Sequence, residues 1–164
     1  MKYLRLFVLS FIVFFALACI VSFFIPSHVR IFRMVRVAKE RTGILDPVRD
    51  LAQWKTWYPG FETIALQQPQ RVDNKVVKAA IDKVLIEVTE SSDSLVVVKM
   101  QKDDRPVISG WQINKDQKSD SLALQAYMDF KLKWYPWEKF SSLLLDKSYG
   151  DRMKHALENL KNKN

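Results

Sequence analysis

Between residues 122 and 131 apolar and polar side chains alternate. Leu122, Leu124, Ala126, Met128 and Phe130 fall on one side, and Ser121, Gln125, Tyr127, Asp129 and Lys131 on the other. A period of two with one apolar face is the pattern of a strand buried on one side. Val84, Ile86 and Val88 repeat it, as do Val96, Val98 and Met100, and Trp111 with Ile113 adds a neighbouring strand. The pattern predicts strands over 75–80, 84–89, 95–101, 107–117 and 122–132. Turn signals separate most of them, at Ser91-Ser92-Asp93, Lys102 to Pro106 and Lys118-Ser119-Asp120. The β-branched run at 29–38 predicts a further strand; its alternation is imperfect, which suggests a bulge or an edge. A short strand around Phe61, Ile64 and Leu66 would end at Gln67-Gln68-Pro69, with 71–74 as a turn. Six to seven strands so spaced predict an antiparallel meander.

From Pro136 the period changes. Phe140, Leu143 and Leu144 recur at helical spacing, and so do Met153, Ala156, Leu157 and Leu160, with Gly150 expected to kink or loosen the middle. A long amphipathic helix that follows an antiparallel sheet must cover the sheet's apolar face, so the fold class is α+β. Residues 39–51 read as short helical pieces, with Asp46 as cap and Pro47 in a first turn. Trp54 and Trp57 then fall on one face of a turn that Pro59 closes. Two readings stay open for that pair: core anchors closing one end of the sheet, or an aromatic mouth on an apolar cavity.

The N-terminus differs in kind. Residues 6–25 carry no charge, and twenty helical residues reach about 30 Å, the thickness of a hydrocarbon core. A retained transmembrane helix is the favoured reading. A signal peptide cleaved after Ala16-Leu17-Ala18, or a lipid anchor at Cys19, are the alternatives; both would leave the apolar stretch 20–25 at the mature N-terminus. The expected organisation is an anchor over 1–26 and one domain over 27–164. Lys2 and Arg5 precede the span, whereas Arg30, Arg33, Arg36, Lys39 and Arg41 follow it, which favours a single-pass protein with a cytoplasmic domain. These five cations also contribute much of the net charge of +8, and no nucleic-acid motif accompanies it, so nucleic acid is not an expected partner.

Candidate chemistry is sparse. One cysteine, Cys19, and two histidines, His28 and His155, give no metal-ligand spacing. No catalytic triad order, phosphate loop or dinucleotide fingerprint is present, and four glycines leave little for a phosphate cradle. Glu87 and Asp129 fall opposite the apolar faces of their strands. No catalytic residue, metal or cofactor is expected. The alternative is an apolar site. Trp54, Trp57, Trp111, Met128, Phe130, Trp134, Trp137 and Phe140 are expected to line one space between sheet and helix, suited to a small apolar or lipid-like molecule. A fully packed core would leave no such space.

The run Asp50, Leu51, Trp54, Trp57, Pro59 resembles the opening segment of the START-like, or SRPBCC, superfamily, which includes polyketide cyclase/dehydrase and lipid-transport-like proteins. Tyr149-Gly150 leading into residues 156–161 resembles that superfamily's closing helix, so the likeness covers roughly 28–162. It implies a helix-grip fold: a curved antiparallel sheet wrapped around a long C-terminal helix, with an internal cavity. For function it implies ligand binding, with a cyclase/hydratase-type enzyme or a non-catalytic scaffold with a packed core as the alternatives.

Overall fold

A computed structural model describes residues 2–38, 43–115 and 122–163. It opens with helix α1 (Lys2–Phe23), followed by strand β1 (His28–Val37), the short helix α2 (Asp46–Arg49) and a 3-10 turn (Leu51–Thr56). Strands β2 (Gln67–Val72), β3 (Lys75–Ile81), β4 (Val84–Ser91), β5 (Leu95–Lys102), β6 (Arg105–Lys115) and β7 (Leu122–Lys131) come next. Helix α3 (Pro136–Ser141) and a 3-10 turn (Ser142–Leu144) lead into α4 (Leu145–Asn162).

The strands form one seven-stranded antiparallel sheet in the order β1-β7-β6-β5-β4-β3-β2. Consecutive strands from β2 to β7 are neighbours, and β1 returns to pair with β7. The sheet curves around α4, as a helix-grip fold requires. Leu124, Ala126, Met128 and Phe130 of β7 are buried on the concave face, beside Val96 and Val98 of β5, Ile86 of β4 and Trp111 of β6. Helix α4 lays Met153, Ala156, Leu157 and Leu160 onto that face, each apolar side chain of Leu or Met size contributing about 1.5–3 kcal/mol by its burial.

Three local expectations are corrected. Phe61, Ile64 and Leu66 do not form a strand; they lie in irregular backbone around the turn at Glu62-Thr63. The strand is instead β2, at one edge of the sheet, across the Gln67-Gln68-Pro69 segment expected to break it. All six of its residues are exposed, its register against β3 slips twice, and Gln68 adopts φ 47°, so β2 has no apolar face to advertise itself. Pro69 is tolerated because an edge strand need not donate every ladder hydrogen bond. Only Asp73 and Asn74 form the turn into β3, both with positive φ, the geometry of a tight hairpin.

Of the two alternatives for β1, the edge holds and the bulge does not: it lies at one edge of the sheet and pairs with β7 in unbroken register over ten residues. Its alternation looked imperfect because Arg33 occupies a concave-face position, between Ile31 and Val35. There its guanidinium bonds Asp146 at the start of α4, 2.8 Å away, with Asp146 itself largely in solvent. This explains Gly150. Helix α4 is continuous through it, and a Cβ at that position would lie 2.2 Å from Arg33 Nη2. The glycine makes room for an arginine rather than loosening the helix. Asp46 is also not the cap of α2 but its first residue; Leu45 precedes it, and Arg49 donates to the Asp46 carboxylate.

On the convex face Gly110 of β6 sits opposite Tyr127 of β7, whose ring lies where a Cβ would be, 2.1 Å from the nearest ring atom. Arg30 lies over the other face of that ring, 4.5 Å from its centroid, and grips Asp129 through two bonds of 2.6 Å. Gly110→Ala therefore displaces the ring and the arginine on it. Its expected cost is about 1–3 kcal/mol, read as a lower urea midpoint of the detergent-solubilised chain; an unchanged midpoint would contradict this packing.

Candidate functional site

The site is built by the segment between β1 and β2. Pro47 lies in the first turn of α2, and the carbonyls of Pro47 and Val48 face the next turn. Trp54 Nε1 donates to Val48 O at 3.0 Å, and Trp57 Nε1 donates to Pro47 O at 3.2 Å. Asp50 fixes the turn between them: its Oδ1 accepts from Ala52 N at 3.1 Å and from Val76 N of β3 at 3.0 Å. One carboxylate thus caps the 3-10 turn and ties it to the sheet.

The aromatic rings pack as a block. Trp57 meets Trp111 edge-on with centroids 5.1 Å apart, and Trp54 lies 5.5 Å from Trp57 and 5.2 Å from Tyr58. Phe61 closes the group, 5.3 Å from Trp54 and 5.0 Å from Tyr58. Helix α4 holds the block from behind, where Asn159 Nδ2 donates to Trp57 O at 2.9 Å. Beside it lies an open pocket of about 250 Å³, lined by Leu51, Ala52, Phe61, Ile64 and Leu66, with Lys55 at its rim.

Among the described residues, two polar groups in this interior find no partner: Ser109 Oγ and Trp111 Nε1 are both buried without a hydrogen bond. The register places Ser109 beside Val98 and Met128, and Trp111 beside Val96 and Ala126, so both residues lie on the concave face. A buried unpartnered polar group costs about 1–3 kcal/mol. The sequence carried a signal for Ser109, a lone hydroxyl at the apolar parity of β6. Tyr58 and Phe61 had only their nearness to the tryptophans to mark them.

The eight residues expected to line one space divide into two groups. Trp54, Trp57 and Trp111 are fully buried and in contact, and Met128 and Phe130 share the same concave face, with Phe130 against Tyr149 of α4 at 5.1 Å. Trp134, Trp137 and Phe140 are not with them. They are 75%, 62% and 37% exposed, near the junction of α3 with α1. The reason is helical phase: Pro136, Lys139 and Ser142 take the inward side of that segment, turning Trp137 and Phe140 outward. Glu87 and Asp129 lie on the convex face, facing Lys78 at 3.3 Å and Arg30 at 2.6 Å.

No protein-family model matches the sequence, and no curated protein matches it. Solved structures do resemble the fold. A START superfamily protein from Mycobacterium smegmatis superposes with a TM-score of 0.53 at 16% identity, over 84% of this chain and 97% of that one. The di-domain ARO/CYC StfQ of the steffimycin biosynthetic pathway gives 0.58 at 10% identity, over 82% of this chain. DynU16, from the dynemicin biosynthetic locus, gives 0.53 at 14% identity, over 84% of this chain. The chain spans about half the length of the latter two, 49% and 48%. At these identities the likeness is one of fold alone: a seven-stranded antiparallel sheet wrapped around a long C-terminal helix, the helix-grip arrangement.

Burial also leaves a mark on Tyr58. Removed from water, its phenol is pushed up from 10.0 to about 12, with Arg152 partly opposing the shift. The unfolded chain then loses this proton first, so stability is complete below pH 10 and falls as the pH rises from 10 to about 12. Tyr58→Phe should remove that part of the alkaline decline, on the order of 1–3 kcal/mol. Identical pH profiles for wild type and Tyr58→Phe above pH 10 would show that the phenol ionises as freely folded as unfolded.

Proposed function

We propose that residues 27–164 bind a small, mostly apolar molecule between the sheet and α4, next to a membrane to which α1 anchors the chain. The helix-grip fold is one capable of holding such ligands. The observation that carries the reading is the pair of unpartnered groups, Ser109 Oγ and Trp111 Nε1, on a mostly apolar concave wall whose arginine, Arg33, is already paired with Asp146. A ligand with polar atoms would pair with these groups while its apolar part lies against Met128, Phe130 and the tryptophan block. Micromolar affinity needs only about −8 kcal/mol, within reach of apolar burial without a charge pair.

The anchor reading rests on α1. It is long and apolar enough to cross a membrane, and it lies near the N-terminus, where a signal sequence passes the same test. Two features bear on this reading. Only 6% of its apolar window is buried, which sets it apart from a core helix, and its C-terminal end is tied to the folded domain through a buried lysine, Lys139. The cations that follow α1 support a cytoplasmic domain.

Titration with decanoate and with anilinonaphthalene sulfonate, read by tryptophan emission, tests the ligand reading. Wild type should saturate at micromolar concentrations, and Ser109→Ala should bind about five- to tenfold more weakly, as the loss of one hydrogen bond implies. Asp129→Asn, on the convex face, should leave binding unchanged. No saturable response in wild type, together with a stability gain in Ser109→Ala, would point instead to a packed core and the scaffold reading. Turnover abolished by Asp129→Asn in a folded chain would favour the enzyme reading.

A further inference from the structure

The residues that left the interior gather at the other end of the sheet. Trp134, Tyr135 and Trp137 form an aromatic group, with Tyr135 lying 4.9 Å from Trp134 and stacked on Trp137 at 5.0 Å. Phe140, Leu143 and Leu144 continue it along the following helical turns, and both leucines are exposed. This is a large apolar surface for a protein to leave in water, and its aromatic members have an apolar body with a polar edge.

The surface is not free to choose its position. Lys139, on the opposite side of α3, is only 8% exposed and inserts its ammonium into the end of α1. There Nζ donates to Ser22 O at 3.1 Å and to Ile25 O at 2.9 Å. The last carbonyls of a helix have no partner within it and carry its negative end, so a cation is the fitting cap. The lysine locks α3 to the end of the apolar helix. A groove of about 470 Å³ lies along this junction, walled by Cys19, Phe23, Ile25, Trp134 and Pro136. Phe23 and Phe24 on α1's side are exposed and apolar, so the uncovered surface runs on from α1 to α3.

We infer that the face formed by Trp134, Trp137, Phe140, Leu143 and Leu144 is immersed in the interfacial layer of the lipid bilayer, as a second membrane contact that fixes the orientation of the domain. The occupant is lipid, because this face continues the surface of α1 and has the composition of an interfacial belt, tryptophan and tyrosine flanked by Lys131 and Lys133. It rests on the anchor reading of α1: without a span, nothing brings the face to a bilayer.

The tryptophans make this testable in the full chain. All five lie outside α1, and Trp54, Trp57 and Trp111 are fully buried. The chain is reconstituted in phosphatidylcholine/phosphatidylglycerol vesicles containing phosphatidylcholine brominated near the top of its acyl chains. Emission should fall by the share that Trp134 and Trp137 contribute. The loss should disappear in Trp134→Ser/Trp137→Ser and be reduced in each of Trp134→Phe and Trp137→Phe. A chain that resists alkaline carbonate extraction yet shows no quenching would overturn the inference while leaving the anchor in place. Quenching that persists in the double variant would also overturn it, since another part of the domain would then face lipid. A chain that does not stay with the vesicles would overturn the anchor reading, and the inference with it.

Discussion

Two indole N–H groups decide the path of the chain between β1 and β2. A buried indole N–H is costly without an acceptor, and Trp54 and Trp57 reach the carbonyls of Val48 and Pro47, residues that lie before them in sequence. That requirement folds α2 back onto the 3-10 turn, and Asp50 then attaches the folded piece to Val76 of β3. The rest of the concave face inherits its shape from this lid. Trp111 packs beneath it, and α4 closes against its outer side through Asn159. The structure places both tryptophans as fully buried core anchors that close one end of the sheet.

Much of the fold was legible because burial and parity agreed. The alternation in β7 and β5 marked the concave face residue by residue, and the register confirms it. Strand β2 was invisible because an edge strand with six exposed residues buries no side chains and so shows no period. Arg33 disturbed the alternation of β1 because it reaches from the concave face to Asp146 at the sheet's edge, where α4 begins. A rule that apolar means inside could not have anticipated it.

The candidate site was half legible, and its failure has one physical cause. In the stretch after Pro136 the inward positions include Lys139 and Ser142, while tryptophan, phenylalanine and leucine point outward. Aromatic enrichment marks surfaces that avoid water, and a core and a bilayer interface meet that need equally well. The sequence supplied the right residue types but not which of two apolar surroundings each would take. The two aromatic groups thus sit apart along the strands. The α1–α3 junction lies where β1 begins and β7 ends, and the tryptophan block covers the concave face toward the other end, near Val76 and Trp111.

The central proposal is that a ligand lies between the sheet and α4 and satisfies the two orphan polar groups, Ser109 Oγ and Trp111 Nε1. Native mass spectrometry of the full chain, released from mild detergent after extraction from its own membranes, tests it most directly. The account predicts a discrete non-covalent adduct of a small molecule that collisional activation strips away, and that is depleted in Ser109→Ala. Bare chain alone, with no adduct even after incubation with decanoate, would contradict it and leave a packed core as the function-neutral description of the fold.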